Sequence, residues 1–103
     1  MKTVKTTRRT NLAPVITHGL SFRNSTGSLY GCPADAAYGL PGWLSGDERE
    51  MWHKQRGDMD YVIVSYGTPI AWRTPSGWYT VEQRFSVTTS RHQSQVRQAI
   101  AGI

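Results

Sequence analysis

With 103 residues and a single cysteine, Cys32, the chain is one ordinary domain with no internal disulfide and no cysteine cluster for zinc. Its hydrophobic content of 38% includes no apolar run near the roughly 18–20 residues of a membrane span, and no apolar signal segment follows the basic N-terminus. A cytoplasmic protein without a membrane partner is expected, and the net charge of +5 favours polyanions without selecting one.

Residues 1–11 are polar and basic and read as a flexible arm or a first edge strand, ahead of a single domain over residues 12–103. Residues 15–24 alternate, with Ile16, His18, Leu20 and Phe22 on one face, which predicts a half-buried strand. Asn24-Ser25-Thr26-Gly27 carries the type I turn signature and returns the chain along residues 28–32, completing a hairpin. Residues 33–46 form a loop rich in Pro and Gly but anchored by Tyr38, Leu40, Trp43 and Leu44. Ser45 and Glu48 stand at capping-box spacing and Gly57 is a natural stop, so residues 46–56 are a short helix.

Residues 60–66 are continuously β-branched and aromatic after Asp60, the pattern of a central strand covered on both faces. Gly67-Thr68-Pro69 interrupts it as a bulge, bend or edge, and the strand resumes over residues 70–73. Thr74-Pro75-Ser76-Gly77 is the clearest turn, followed by strands at residues 78–81 and 83–88. Ser90 and Gln93 then repeat the capping spacing, and Val96, Ala99, Ile100 and Ile103 make a helical apolar stripe. The expected fold is α+β: a small, mainly antiparallel sheet of two hairpins, a short middle helix, and a C-terminal helix packed on the sheet.

No catalytic constellation is visible. His18, His53 and His92 lie on different elements without metal spacing, and there is no phosphate loop, nucleophile elbow or zinc-binding helix motif. Neither catalytic residues nor a metal or cofactor is expected. His92, beside Ser90 and Arg91 at a helix start, is the one candidate for an anion site, against ordinary capping with Arg91 in solvent. Arg73, Arg84 and Arg91 interleave with Tyr61, Tyr66, Trp72, Trp78, Tyr79 and Phe85, and Lys2, Lys5, Arg8 and Arg9 crowd the N-terminus. Such a set suits single-stranded nucleic acid, although the same rings also suit the core of a protein poor in aliphatics.

The stretch YVIVSYGTPIAWRTPSGWYTVEQRFSVTTSRHQ, residues 61–93, resembles a family of small uncharacterised proteins of actinobacteria and their phages. The family pattern VxSYxTPIAW…SxTTSxHQ is met here from Ser65 to Trp72 and from Ser86 to Gln93. Phe22-Arg23-Asn24 and Gly27-Ser28-Leu29-Tyr30-Gly31 are similar to its N-terminal hairpin, whereas residues 33–56 find no counterpart. The resemblance implies a phage or mobile-element product acting in a bacterial cytoplasm, and it implies no activity.

Three functions are therefore expected in order. The first is a non-enzymatic, phage-encoded protein that binds a host protein, with Tyr38, Leu40 and Trp43 as interface anchors. The second is a nucleic-acid-binding protein using Lys2, Lys5, Arg8, Arg9, Arg73 and Arg84. The third is a small enzyme or anion-binding protein using Ser90, Arg91 and His92. An exposed edge strand or aromatic patch would permit a homodimer in each case.

Overall fold

A computed structural model describes residues 4–33 and 41–103. Six strands form one sheet in chain order: β1 (Val4–Thr6), β2 (Phe22–Asn24), β3 (Leu29–Pro33), β4 (Tyr61–Ser65), β5 (Thr68–Thr74) and β6 (Gly77–Thr80). From β2 to β6 the sheet is an antiparallel meander, and β1 pairs parallel with β2. A parallel pair needs a crossover, and helix α1 (Ala13–Thr17) lies within it. Helix α2 (Gly46–Gln55) runs into a 3-10 turn at Arg56–Asp58, and helix α3 (Val87–Ala101) ends the fold. This is the expected α+β arrangement, with a middle helix and a C-terminal helix.

All five residues of β4 are buried, and their alternation feeds two cores. Tyr61 and Ile63 join Phe22, Leu29 and Ala71 beneath Leu12 and Ile16 of the α1 region and Val96 and Ala99 of α3. Val62 and Val64 join Trp72, Val81 and Leu44 beneath Trp52 of α2. In the second core Trp72 stacks on Tyr79 at 4.8 Å and meets Trp52 edge-on at 5.3 Å. The Trp72 Nε1 donates to Gln55 Oε1 at 2.8 Å, whereas Trp52 Nε1 is buried without a partner among the described residues. In the first core the Tyr61 hydroxyl donates to the Leu20 carbonyl at 2.6 Å, and burial pushes its pKa far up.

Five sequence expectations are corrected. Residues 15–24 are not one strand: α1 occupies the first part and only Phe22–Asn24 is extended. Asn11 Oδ1 accepts from the Ala13 amide at 3.0 Å, and Pro14 sits in the first turn, where its missing N–H costs nothing. The buried pair is Leu12 and Ile16, four apart, while His18 and Leu20 of the apparent alternation are exposed. The interruption expected at residues 67–69 is a reversal: Tyr66 and Gly67 turn the chain, and Thr68 and Pro69 already lie in β5, so that Ser65 pairs with Thr68. The irregularity expected there is real and lies next to the turn: Ile63 pairs with Ala71 and Val64 with Pro69, leaving Ile70 extra. Its carbonyl accepts from the Val81 amide at 2.9 Å.

Residues 83–88 form no strand, and α3 is capped by Ser86, not Ser90: Ser86 Oγ accepts from the Thr89 amide at 3.2 Å. Finally, Ser45 is the N-cap of α2 as expected, but no capping box forms. Glu48 instead accepts from the Tyr79 hydroxyl at 2.5 Å and the Glu82 amide at 3.2 Å. Burial and this carboxylate together push the Tyr79 pKa up to about 12.

Gly31 tests how tightly the first core is closed. A Cβ there would collide with Phe22 Cε1 and stand 2.8 Å from the Tyr61 hydroxyl. Gly31→Ala is expected to cost about 1–3 kcal/mol through overpacking, read as a lower urea midpoint with an unchanged slope. An unchanged midpoint would mean that Phe22 has room to move aside.

Candidate functional site

The two halves of the sequence motif meet where the β4–β5 turn touches the first turns of α3. Tyr66 and Gly67 span that two-residue turn with φ of 49° and 77°. A type I′ turn requires positive φ at both positions, which glycine adopts freely and a tyrosine adopts only under constraint. The constraint is visible: the Tyr66 amide donates to the Ser28 carbonyl at 2.8 Å. The phenol is left 57% exposed and lies 6.0 Å from the His92 ring, nearly parallel to it.

Ser65 and Thr68, which flank the turn, are buried and polar, so each needs a partner. Ser65 Oγ is 2.7 Å from His92 Nδ1 and donates to Thr89 Oγ1 at 3.3 Å. Thr89 Oγ1 also accepts from Ser86 Oγ at 3.2 Å. Thr68 Oγ1 accepts from the Trp43 amide at 3.0 Å. Gln93, one residue past His92, donates to the Val81 and Gln83 carbonyls at 2.9 and 3.1 Å and so fixes the irregular segment leading into α3. Burial holds the His92 pKa below the ordinary imidazole value.

Two hollows flank this knot. On one side a cleft of about 290 Å³ has Trp43, Tyr66 and Phe85 as its aromatic rim and Ser65, Ser86 and Thr89 as its polar floor. Trp43 is 78% exposed. On the other side a cavity of about 130 Å³ lies between β1 with the turn after it, the β2–β3 hairpin and α3. Arg8, Thr88, Arg91 and His92 line it.

The structure redistributes the residues singled out from the sequence. Arg8, considered for nucleic acid, and Arg91 and His92, considered for an anion, share one cavity. Ser90 and Arg84 face a different, open hollow together with Glu82 and Arg97, so the set Ser90, Arg91 and His92 does not converge. Arg73 lies away from all of these sites. It pairs with Asp60 at 2.7 Å, donates to the Ile16 carbonyl at 3.3 Å and sits over the Tyr61 and Trp78 rings. Lys5 and Arg9 are exposed. Tyr38, Leu40 and Lys2 lie outside the described residues. Tyr66 is expected from the sequence only among the sheet aromatics suited to base stacking, and Ser65 and Ser86 carry no expected site role.

Residues 21–101 match the sequence model of a family of unknown function, DUF8033. The chain belongs to this family. The DUF8033 span takes in the meander, α2 and all of α3, and with them both halves of the motif, while β1, α1 and Arg8 precede it. No curated protein and no solved structure matches the chain. No described helix is long and apolar enough to cross a membrane.

The buried imidazole makes the stability of this DUF8033 protein depend on pH with a definite sign. The unfolded chain protonates His92 near its ordinary value of about 6.5, and the folded chain only at lower pH. Between the two values the unfolded state binds more protons, so stability is complete above about pH 6.5 and falls as pH drops. Thermal unfolding followed from about pH 7.5 to 5.5 is expected to show a falling midpoint. His92→Gln is expected to flatten that slope, and an equal slope in both proteins would exclude His92 as its source.

Proposed function

We propose that the chain is a non-enzymatic binding protein that engages another protein through an aromatic patch of Trp43 and Tyr66. One observation carries this reading: the Trp43 indole is 78% exposed while its main chain is clamped from both sides. The Trp43 amide donates to Thr68 Oγ1 at 3.0 Å, and its carbonyl accepts from Gln83 Nε2 at 2.9 Å. Gln83 Oε1 in turn accepts from the Ser45 amide at 3.0 Å. Gly42, with φ of +57°, lies so close to the turn that a Cβ would stand 2.5 Å from Thr68 Oγ1.

A large exposed ring on a fixed main chain loses little entropy on binding, and interface hot spots are rich in Trp and Tyr. Tyr66 adds a second ring held outward by its turn. The motif resemblance to proteins of actinobacteria and their phages supports a phage-encoded product whose partner is a host protein in the bacterial cytoplasm. A sheet that stacks bases is less well supported. Helices cover both faces, Tyr61 and Trp72 are buried, and Arg73 is engaged by Asp60.

Trp43→Ala is expected to weaken capture of the partner by about 2 kcal/mol or more with no fall in melting temperature, since the lost ring is exposed. Gly42→Ala should weaken it with the indole intact. The assay is a pull-down from bacterial lysate, with and without nuclease and at two salt concentrations, followed by titration of the purified partner. Equal capture by Trp43→Ala, or loss of the captured material on nuclease treatment, would overturn the proposal.

A further inference from the structure

We infer that the cavity between the β1 turn and α3 is a binding site for the phosphate group of a small phosphomonoester. The cavity, of about 130 Å³, brings together Arg8 and Arg91, which are 83 residues apart in sequence, and no acidic side chain is among the residues that line it. Neither arginine makes an ion pair with a described residue, in contrast to Arg73. Two guanidinium forks without a counter-charge, on converging walls, are the arrangement that recognises a planar or tetrahedral oxyanion.

The walls are built rather than incidental. Gln95 Nε2 donates to the Thr7 and Thr10 carbonyls at 3.2 and 3.0 Å, strapping the turn that carries Arg8 onto α3. The same turn closes on itself through the Thr7 amide and Thr10 Oγ1 at 2.9 Å. Opposite, Asn24 Oδ1 accepts from the Leu29 amide at 3.2 Å and fixes the hairpin wall.

The floor is His92, with only 9% of its surface exposed. Its Nδ1 is taken by Ser65 at 2.7 Å, which leaves Nε2 as the ring nitrogen available to the cavity, and Nε2 bonds to no described residue. Because Ser65 gives its one hydroxyl proton to Thr89 Oγ1, the His92 Nδ1–H donates to Ser65 Oγ, and Nε2 faces the cavity as an acceptor able to take the proton of a singly protonated phosphate. Thr88, in the first turn of the fifteen-residue α3, adds a hydroxyl beside the positive end of the helix.

The number of donors selects the ligand. Two guanidinium groups, each giving two N–H bonds, and a hydroxyl exceed what the two oxygens of a carboxylate accept, and with Nε2 as an acceptor they match the three terminal oxygens of a phosphomonoester, one of them carrying a proton. The shape selects a small molecule over a polynucleotide. A hollow of this size takes one anionic group, and the other candidate arginines are on a separate hollow (Arg84) or already paired (Arg73). The site is independent of the Trp43 patch.

The test is a titration of the full chain, followed by amide and imidazole NMR signals, with inorganic phosphate, adenosine monophosphate, acetate and a short single-stranded oligonucleotide. Phosphate and the monophosphate are expected to bind saturably, moving the His92 ring and the amides around Thr88 and Arg91. Arg8→Gln and Arg91→Gln, both at exposed side chains, should each weaken binding about tenfold with an unchanged melting temperature. No saturable shift, acetate binding as tightly as phosphate, or undiminished binding in both variants would overturn the assignment. So would an oligonucleotide that binds far more tightly than the monophosphate and loses as much from Lys5→Gln and Arg9→Gln, which would point to a strand-tracking surface.

Discussion

Strand β4 takes five consecutive residues out of water, and because side chains alternate along a strand it does so on both faces of the sheet. Both faces then need cover, and the described residues hold three α-helices that supply it. The α1 region and α3 close one face over Tyr61 and Ile63, and α2 closes the other over Val62 and Val64. The same burial extends to the polar end of the strand. Ser65 is as buried as Val62, and a buried hydroxyl must be satisfied from somewhere. The partner comes from α3, as His92 and Thr89, so the demand that shapes the core also fixes the register of the last helix against the β4–β5 turn.

The candidate site is a by-product of that constraint. The network of buried Ser65, Thr89 and His92 with the capping Ser86 is a lock between helix and hairpin, and the two hollows open on either side of it. Tyr66 belongs to the lock through its turn and its contact with the His92 ring, yet presents most of its phenol to solvent. Residues that serve folding and residues that face outward are thus neighbours on the same short segments. The two halves of the motif are intelligible in these terms: Ser65 to Trp72 supplies the turn and the core tryptophan, and Ser86 to Gln93 supplies the cap, the lock and the strap to Val81 and Gln83.

Much of the fold was legible because local chemistry and tertiary context agreed. The apolar run at Tyr61–Ser65, the turn at Asn24-Ser25-Thr26-Gly27, the turn at Thr74-Pro75-Ser76-Gly77 and the helix start at Ser45 all stand where their residue types place them. The failures have equally local causes. Ile16, His18, Leu20 and Phe22 imitate strand alternation, and the four-residue spacing of Leu12 and Ile16 that marks α1 straddles a proline. The turn at Tyr66-Gly67 lacks the Asn or Asp that ordinarily announces positive φ, so it passed for an interruption. The site was less legible than the fold because its partners are remote in sequence: Ser65 and His92 are 27 residues apart, and Arg8 and Arg91 are joined only when α3 folds back over β1. Trp43 was visible from composition alone, but not the two hydrogen bonds that hold its main chain.

The edges of the sheet bear on how another molecule could approach it. One edge is β1, three residues long with Lys5 at its centre and both Val4 and Lys5 exposed, and the other is β6, four residues long and beginning with a glycine. Short, charged or glycine-started borders offer an incoming strand few main-chain hydrogen bonds. Recognition by strand addition, which draws its affinity from just such a ladder, is therefore poorly provided for in this architecture. What the chain presents to the outside is side-chain chemistry set on rigid turns, so selectivity would reside in a handful of replaceable residues while the backbone scaffold beneath them stays the same.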